Sequence, residues 1–577
     1  MKKITILTTV FALGFATSCS DKFLEVQPKA VLSFETLKNR AGVNYLLTAA
    51  YSLVDGAGNN AGFSSWHGSA DNWIYGEVAS DNAYKGTTAG DQPEISLIEQ
   101  RLIQPDNTHF RGKWAIVYDG IARANDVILL TDQVSELSEA EKTSIKAQAR
   151  FLRGHHHFEA KKMWNMVPYI DDKTYNPDDL SSTKVPNDKD IWPNIEADFK
   201  FAFDNLPATQ TQRGRATKWA AAAMLGKAQL YQKKYAEAKA TFDAIVASNQ
   251  FRLMDRYHDN FRAVTNNNAE SIFEVQHSVN DGAGGGENGN WGATLNYPYG
   301  GGGVTTCCGF YQPSQNLVNV YKTNSDGLPL FDTFNDTDVK NDQGIASSAA
   351  FTPDAGTFDP RLDWTVGRRG IPFLDWGVHP GQNYVRDQAY AGPYSPKKHL
   401  MYRSDVGTNT FSGNPRLNAN NYRMIRYAHV LLMLAECEIE VGSLERARTL
   451  VNMVRKRAAN PDGFVKTTTG TDAANYVIKE YPANSPIFAN KTSALKAVQY
   501  ETRLELAMEG HRFFDLVRWG IADVTLNNYY SKERTKRTYF NGVSFTKGKH
   551  EYYPIPLNEI LNSQKNGQPT LKQNPNY

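Results

Sequence analysis

The sequence predicts a mainly α-helical protein whose helix pairs carry long, irregular loops rich in aromatic residues. Two observations predict this fold class. Apolar residues recur at three-and-four spacing through much of the first half of the chain, which is typical of amphipathic helices. The stretch from about 281 to 422 instead mixes glycine, proline, asparagine and aromatic residues without a sustained period. Because disordered segments are poor in aromatic residues, we expect these loops to be ordered.

Short polar turns separate the segments with the clearest helical pattern, which span 114–130, 139–166, 191–206, 217–232 and 235–247. One helix pair recurs, because residues 221–246 align without gaps on residues 430–455. Small residues fall at matching places in the two copies, Gly226 with Ala435 and Ala238 with Ala447. This pattern predicts a tetratricopeptide-like scaffold of closely packed helix pairs, although the full tetratricopeptide consensus is absent.

The N-terminus predicts an exported protein with a lipid anchor. Two lysines precede an apolar stretch, residues 4–16, that is too short to span a bilayer as a helix, and small residues stand directly before Cys19. We therefore expect a lipoprotein signal peptide over 1–18, lipidation of Cys19 and a tether over 19–36; ordinary cleavage nearby is the alternative. Two or three acyl chains on Cys19 would hold a soluble body to a membrane.

Charge argues against a nucleic-acid partner. Without the two lysines of the signal peptide, 61 basic residues balance 61 acidic ones, so the mature chain is formally neutral. Only Cys307, Cys308 and Cys437 follow Cys19, too few for a disulfide scaffold. Neither a cofactor nor a metal ion is expected. The consecutive histidines at 155–157 would point in different directions on a helix and cannot converge on one ion.

The C-terminal region resembles a known family. Residues 500–520 read YETRLELAMEGHRFFDLVRWG, residues 553–556 read YPIP, and the chain ends on QNPNY. Together with Arg426-Tyr427-Ala428 and the following LLMLAECEIEVGSLERARTLVNMVRKRA, these motifs resemble the SusD/RagB family of outer-membrane nutrient-binding lipoproteins. Further matches at 23–28, 114–125 and 149–153 extend the resemblance along the whole mature chain.

The resemblance implies a SusD-like fold, with an N-terminal helical region over 37–270 and a C-terminal region over 271–577 forming one compact unit. It also implies a non-enzymatic glycan-binding lipoprotein, anchored in the outer membrane and facing the cell exterior. Such a protein would deliver oligosaccharides to a SusC-like TonB-dependent transporter. The family motif itself is expected to be structural, because Glu501, Glu505 and Glu509 fall four apart on one helix face and can form ion pairs with nearby arginines.

Sugar binding needs flat apolar surfaces that stack on sugar rings and polar groups that hydrogen-bond hydroxyls from fixed positions. Segments 66–85, 291–311 and 364–394 offer this mixture. The predicted glycan-binding residues are Trp66, Asp71, Trp73, Asp81, Asn82, Trp291, Tyr299, Cys307, Cys308, Arg368 and Tyr394. For any single aromatic residue in this set, packing in the core or within a loop is the alternative.

The adjacent cysteines have two interpretations. In an oxidising compartment, Cys307 and Cys308 would close a small, rigid disulfide ring that can serve as a stacking platform. Alternatively, they are reduced thiols packed as small hydrophobic groups. No lysine or arginine occurs between Arg262 and Lys322, which predicts a neutral polysaccharide ligand. Among neutral polysaccharides a fructan is favoured, because a small platform suits a furanose ring.

Two other functions remain open from the sequence. A surface glycosidase needs two carboxylates placed across a scissile bond, and Asp71, Glu77 and Asp81 would supply a pair. A receptor of the same family that carries peptides rather than sugars is the second alternative. The sequence names neither the glycan and its linkage nor the transporter.

Overall fold

A computed structural model describes residues 34–57, 63–300 and 307–577. Helices of the first half are α1 (Arg40–Ser52), α2 (Pro93–Glu99), α3 (Thr108–Gln133), α4 (Glu139–Trp164), α5 (Trp192–Asn205), α6 (Lys218–Tyr231) and α7 (Tyr235–Ala247). The second half adds α8 (Gln315–Val320), α9 (Leu362–Thr365), α10 (Gln388–Ala391), α11 (Tyr427–Val441), α12 (Leu444–Ala458), α13 (Lys491–Leu506), α14 (Arg512–Arg518), α15 (Ala522–Glu533) and α16 (Leu557–Asn562). The predicted mainly helical fold is confirmed. Cys19 and the signal peptide lie outside the described residues.

Strands within the described part of the chain form two-stranded pairs only. The antiparallel pairs are β1 (Ala83–Gly86) with β3 (Phe310–Pro313), β2 (Ser271–Val275) with β9 (Tyr422–Arg426), β5 (Val366–Gly367) with β6 (Ser395–Pro396), β7 (Thr410–Phe411) with β8 (Asn414–Asn418), and β11 (Gln564–Lys565) with β12 (Gln568–Pro569). One parallel pair joins β4 (Thr357–Phe358) to β10 (Asn475–Tyr476). The helices, not the sheets, therefore build the scaffold.

Side-chain caps begin several of the long helices where the sequence changes from a polar turn to apolar periodicity. Ser138 accepts a hydrogen bond from the backbone of Glu141, and the Glu141 carboxylate accepts one from the backbone of Ser138, so a capping box begins α4. Thr217 caps α6 by accepting from the backbone N–H of Ala220. Each helix from α3 to α7 packs on the next, so these helices form a continuous stack although a long connection, 165–191, separates α4 from α5.

The repeated segment forms two helix hairpins, α6 with α7 and α11 with α12, as the internal repeat predicts. Gly226 lets the first hairpin close, because a Cβ there would lie 2.5 Å from Cε1 of the buried Phe242. At the matching places in the second hairpin, Ala435 and Ala447 are fully buried. Helix α7 packs against α11, so the two hairpins join one stack although the long loop region separates them along the chain.

Carboxylates of the family motif lie in a buried network of ion pairs, as predicted. Glu505 contacts Arg426 at 2.6 Å and Arg361 at 2.9 Å, and Glu501 contacts Arg455 at 2.9 Å. Burial raises the pKa of Glu505, but the adjacent arginines outweigh it and hold the pKa well below its ordinary value. One detail of the prediction is wrong, because α13 ends before Glu509 and that residue is not on the helix face.

The predicted division into regions 37–270 and 271–577 stays a prediction, although packing of α7 on α11 crosses it. In the described part of the chain, no helix is long and apolar enough to cross a membrane. Strands β2 and β9 pair Ser271 with Arg426 and Val275 with Tyr422, so they bring together the two ends of the loop region. The loop region therefore leaves and re-enters the helical scaffold at the same place.

Candidate functional site

A groove of about 1200 Å³ is lined by residues from six parts of the chain. The end of α1 and the turn after it form one side, and β2 continues into the loop at 276–278 along another. The lining is completed by Ser65, Arg123 of α3, the turn at 212–215 and the loop at 287–291. The groove therefore lies where the loop region meets the N-terminal helices.

Trp291 lines this groove, the one member of the predicted contact set within the described residues that does so. Its side chain is half-buried, and its indole Nε1 donates to the carbonyl of Gly286 across 3.2 Å. The carbonyl of Trp291 accepts from the hydroxyl of Thr294 at 2.9 Å, which holds the turn that carries the ring. An amphipathic ring in a fixed orientation beside a groove is the arrangement that sugar stacking needs.

Amide side chains of the groove are held by neighbouring residues. Gln276, which is exposed, donates from Nε2 to Oδ1 of Asn267 at 3.0 Å and accepts from the side-chain amide of the same residue at 2.9 Å. Its Oε1 also accepts from Asn421 at 3.1 Å. Asn288 donates to the carboxylate of Asp281 at 2.8 Å. The Gln276 amide, which also donates to the carbonyl of Glu274, is thus fully used within the protein, whereas the exposed Asn288 amide is oriented by Asp281 and can bond a ligand at a small entropic cost.

Charge in the groove lining is balanced. The lining contains Arg123, Arg213 and Arg215 together with Asp55, Glu274 and Glu287. Burial raises the pKa of Asp55 to about 6, against the opposing effects of a backbone hydrogen bond and of Arg123. Burial lowers the pKa of His277 to about 4, so this histidine is neutral at pH 7. The groove is therefore formally neutral, although it is not free of cations.

Sequence reasoning missed most of the groove lining, including Tyr51 and Arg215. The guanidinium carbon of Arg215 lies 4.8 Å from the centre of the Tyr51 ring. The Tyr51 hydroxyl donates to Gln148 at 3.1 Å and accepts from the backbone of Ala216 at 2.9 Å. Neither residue stands in an aromatic-rich segment, so no local signal in the sequence indicated them.

A second surface contains the adjacent cysteines and Tyr299. Cys307 and Cys308 are joined in a disulfide; Cys307 is half-buried and Cys308 is 7% exposed. The half-buried ring of Tyr299 lies 5.0 Å from the guanidinium of Arg386, which in turn forms an ion pair with Asp91 at 2.6 Å. The disulfide interpretation, and not the pair of free thiols, therefore describes this structure.

Trp66 and Asp71 lie beside the groove rather than in its lining. Trp66 is half-buried and packs against the core. Asp71 accepts from the hydroxyl of Ser69 at 2.7 Å, and burial raises its pKa. It borders two small cavities of about 20 and 30 Å³ beneath the loop that follows Trp291. Each cavity is large enough for one or two water molecules only.

Two of the predicted aromatic contacts are core residues. Trp73 is fully buried in a π-helical turn, Trp73–Val78, and its ring lies 6.1 Å from Phe310 and 5.7 Å from Tyr311. Tyr394 is 2% exposed and donates from its hydroxyl to Gln315 at 3.0 Å. No surface of either ring is open to a ligand, so the prediction of sugar contact is corrected for both.

Three predicted polar contacts are also corrected, because their groups are buried and bonded within the protein. Asp81 pairs with Arg512 at 2.8 Å, and Asn82 donates to Glu77 at 2.8 Å. Arg368 donates to the Asp363 carboxylate at 2.6 and 2.9 Å. Buried polar groups need such partners, and these partners occupy the atoms that a sugar would use.

The carboxylates considered for a glycosidase are not an open pair. Glu77 is fully buried, and its Oε1 accepts from the backbone of Gly510 at 2.9 Å. Asp81 is 2% exposed and ion-paired, as described above. Neither group can flank a scissile bond in this conformation. In the described part of the chain, no group of three or more acidic, histidine or cysteine side chains is arranged to hold a metal ion.

Comparisons with known proteins cover nearly the whole chain. Residues 269–577 match the SusD family model, and residues 22–230 match a model described as "Starch-binding associating with outer membrane". SusD-like protein P25 of Formosa agariphila is 25% identical over 97% of both chains. A SusD-like protein of Bacteroides ovatus is 26% identical over 48% of this chain and 50% of that protein.

Solved structures with the same fold include three that were described with a ligand or a binding role. A "Laminarin binding SusD-like protein" covers 93% of this chain and is itself covered fully, with 24% identity and a TM-score of 0.60. Surface glycan-binding protein A from Bacteroides thetaiotaomicron covers 94% of this chain and is covered fully, with 21% identity and a TM-score of 0.68. Its complex with laminarihexaose, at 21% identity, covers 93% of this chain and 99% of that one with a TM-score of 0.64.

Proposed function

This chain belongs to the SusD family, and from that premise we propose that it is a non-enzymatic protein that binds a glycan chain in the groove beside Trp291. The groove is the observation that carries the proposal. Pockets for a single small molecule measure about 300 to 1000 Å³. At about 1200 Å³, the groove has room for a ligand of several linked units.

Chemistry of the lining supports a sugar ligand. Trp291 offers an aromatic surface for stacking, and the exposed amide of Asn288 offers a donor and an acceptor. The equal numbers of arginines and carboxylates support a neutral glycan, because an anionic polymer would meet as much repulsion as attraction. The equal number of positive and negative side chains in the groove supports a neutral ligand more directly than the absence of lysine and arginine between Arg262 and Lys322 does.

Identity of the glycan is a finer proposal. Laminarin is named for one structural neighbour and laminarihexaose for another, which supports a neutral glucan in the test panel. A fructan remains our proposal on the basis of the disulfide of Cys307 and Cys308, whose small surface suits a furanose ring. Tyr299 beside it would add a second stacking surface.

Location and partner are proposed from the family and the N-terminus. We propose that Cys19 carries the lipid anchor and that the folded body faces the cell exterior on the outer membrane. The family description "associating with outer membrane" supports that membrane as the location. We further propose delivery of bound oligosaccharides to a SusC-like TonB-dependent transporter. Co-purification of such a transporter from detergent-solubilised outer membranes tests this partner.

One experiment separates the glycan receptor from its two alternatives. Purified protein is run through native gels containing laminarin, inulin, levan or soluble starch, and reducing ends are measured in parallel. Retarded mobility without release of reducing ends is the result expected for a receptor. Release of reducing ends would identify a glycosidase. Binding of a peptide library with no retardation by any polysaccharide would favour the peptide receptor.

The matched control for this experiment is Trp376→Ala. Trp376 is half-buried like Trp291 and belongs to the loop region, but it does not line the groove. Retardation should be lost in Trp291→Ala and kept in Trp376→Ala. Equal loss in both variants would show that the groove is not the binding site.

A further inference from the structure

Arg416 of β8 connects the disulfide to the loop that carries Trp291. Its Nη1 donates to Sγ of Cys308 at 2.9 Å and to the carbonyl of Thr294 at 3.3 Å. Its own carbonyl accepts from the hydroxyl of Tyr297 at 2.9 Å. One residue therefore holds three points of the segment between Trp291 and Cys308, from a strand more than a hundred positions later in the chain.

The Thr294 contact leads directly to the groove. Thr294 donates through its hydroxyl and its backbone N–H to the carbonyl of Trp291, at 2.9 and 3.3 Å. The same turn is held from the other side, because the backbone N–H of Asn290 donates to the carbonyl of Asn418 in β8 at 2.9 Å. The orientation of Trp291 thus depends on β8, and Arg416 is the side chain of β8 that also reaches the disulfide.

The guanidinium of Arg416 retains binding capacity. It is half-buried, and it forms no ion pair with a carboxylate of residues 34–57, 63–300 or 307–577. Nε makes a long contact with the Asn414 side chain at 3.4 Å, while the described residues supply no partner for Nη2. A planar guanidinium with one nitrogen engaged and another open is suited to donate to a hydroxyl oxygen.

We propose that Arg416 is a further specificity-determining residue of the glycan site. It fixes the disulfide platform and the Trp291 turn relative to each other, and it donates from Nη2 to a hydroxyl of the sugar that stacks on the platform. Both surfaces then engage one glycan chain rather than two separate ligands. This inference rests on the proposed function, since it names a residue of that same site.

Three variants test the inference: Arg416→Ala, Arg416→Lys and, as the matched control, Arg448→Ala. Arg448 also donates to a backbone carbonyl, that of Tyr481 at 2.6 Å, but it lies in α12 away from the loops. Affinity is measured by calorimetry with whichever polysaccharide of the panel the wild-type protein binds. Arg416→Ala should weaken binding about tenfold, and Arg448→Ala should leave it unchanged. Lysine keeps the positive charge but lacks the planar set of donors of a guanidinium, so the affinity of Arg416→Lys should lie between those of Arg416→Ala and Arg448→Ala.

A double variant separates a coupled site from general destabilisation. If Arg416 acts through Trp291, then adding Trp291→Ala to Arg416→Ala should cost much less than the two single losses combined. Additive losses, or affinity of Arg416→Ala within about twofold of wild type, would overturn the inference. A fall in melting temperature with affinity retained would do the same, since it describes a merely structural arginine.

Amide hydrogen exchange over residues 290–298 supplies a readout that needs no ligand. Arg416→Ala should accelerate exchange at Thr294, whose carbonyl loses its side-chain donor, whereas Arg448→Ala should not. Unchanged exchange would overturn the positioning role even if affinity fell. If no polysaccharide binds the wild-type protein, the proposed function fails and the sugar contact of Arg416 fails with it, while the exchange result still decides whether Arg416 joins the platform to the turn.

Discussion

Arg512 donates from Nε to Oδ1 of Asp81 across 2.8 Å, and so links the C-terminal family motif to the segment after the π-helical turn. Arg503 lies 3.1 Å from the other carboxylate oxygen. Burial raises the pKa of Asp81, but the charges of the two arginines outweigh it and bring the pKa to about 2. Asp81, which the sequence predicted as a ligand contact, instead forms buried ion pairs that join distant segments of the chain.

Lowering the pH should weaken the ion pairs of Asp81 and so destabilise the fold. Because the pKa of Asp81 is lower in the folded than in the unfolded chain, its ionisation stabilises the fold above about pH 4, and that contribution, on the order of 2 kcal/mol, is lost as the pH falls toward 2. Asp81→Asn should cost about 3 to 5 kcal/mol at neutral pH, because it leaves buried arginines without their charge partner. Urea unfolding across this pH range should show a shallower acid dependence in Asp81→Asn than in wild type. The exposed Asp178→Asn serves as control, and an unchanged slope in Asp81→Asn would contradict the assignment.

Two tryptophans should respond to truncation in opposite ways. Trp291→Ala should weaken glycan binding by about 1 to 3 kcal/mol with little effect on stability, since the ring is half-buried at the groove. Trp73→Ala should cost about 3 to 5 kcal/mol of folding free energy, because it removes a fully buried ring. Calorimetric titration and thermal melting of both proteins measure the two effects. A large loss of stability in Trp291→Ala with affinity retained would remove that residue from the site.

Affinity for the glycan should depend little on salt. The groove lining has as many carboxylates as arginines, so binding of a neutral chain involves no net attraction between charges that added salt would screen. Titration in low and high sodium chloride should give similar dissociation constants. Binding that weakens steeply with salt would indicate an anionic glycan held by Arg213 and Arg215.

Closure of the first helix hairpin should depend on Gly226. A side chain there must displace the buried ring of Phe242, so Gly226→Val should destabilise the protein by about 1 to 3 kcal/mol. Urea unfolding measures this cost. Combining Gly226→Val with Phe242→Leu should cost less than the sum of the single variants, because the smaller side chain leaves room. If the two costs were additive, contact with the Phe242 ring would not be the reason that a side chain at position 226 destabilises the protein.

Cys19 should determine membrane attachment. We expect Cys19→Ala to give a folded protein that no longer fractionates with the outer membrane and no longer incorporates labelled fatty acid. Cys437→Ala provides the control, because that cysteine is fully buried in α11. Retention of Cys19→Ala in the membrane fraction with lipid labelling intact would contradict the proposal.

Local sequence was sufficient to predict the scaffold. Helix periodicity and the internal repeat predicted α4 to α7 and the hairpin of α11 and α12, because each helix buries one face against a neighbour close in the chain. Spacing also predicted that Glu501 and Glu505 form ion pairs. Their partners, Arg361, Arg426 and Arg455, come from other segments, which no spacing rule could indicate.

Prediction of the site was weaker for a physical reason. Aromatic density favoured ordered loops, but it did not indicate which face of each ring points inward. Trp73 and Trp291 stand in similar glycine- and asparagine-containing surroundings, yet the first is fully buried and the second lines the groove. Tyr51, Arg215 and Arg416 reach the candidate surfaces only through tertiary contacts, so they left no local pattern to find.

Pairing of β2 with β9 fixes the two end points of the loop region. Since the entropy of closing a loop grows only slowly with its length, the exposed turns between 276 and 421 can be longer or shorter at little cost, whereas β3 and the buried Leu317 and Tyr321 belong to the core. Buried ion pairs also join the interior of the loop region to the C-terminal motif, because Arg361 contacts Glu505 and Lys398 contacts Glu509. A loop region grafted from another receptor should therefore transfer ligand preference only if it places an arginine and a lysine at the positions of Arg361 and Lys398.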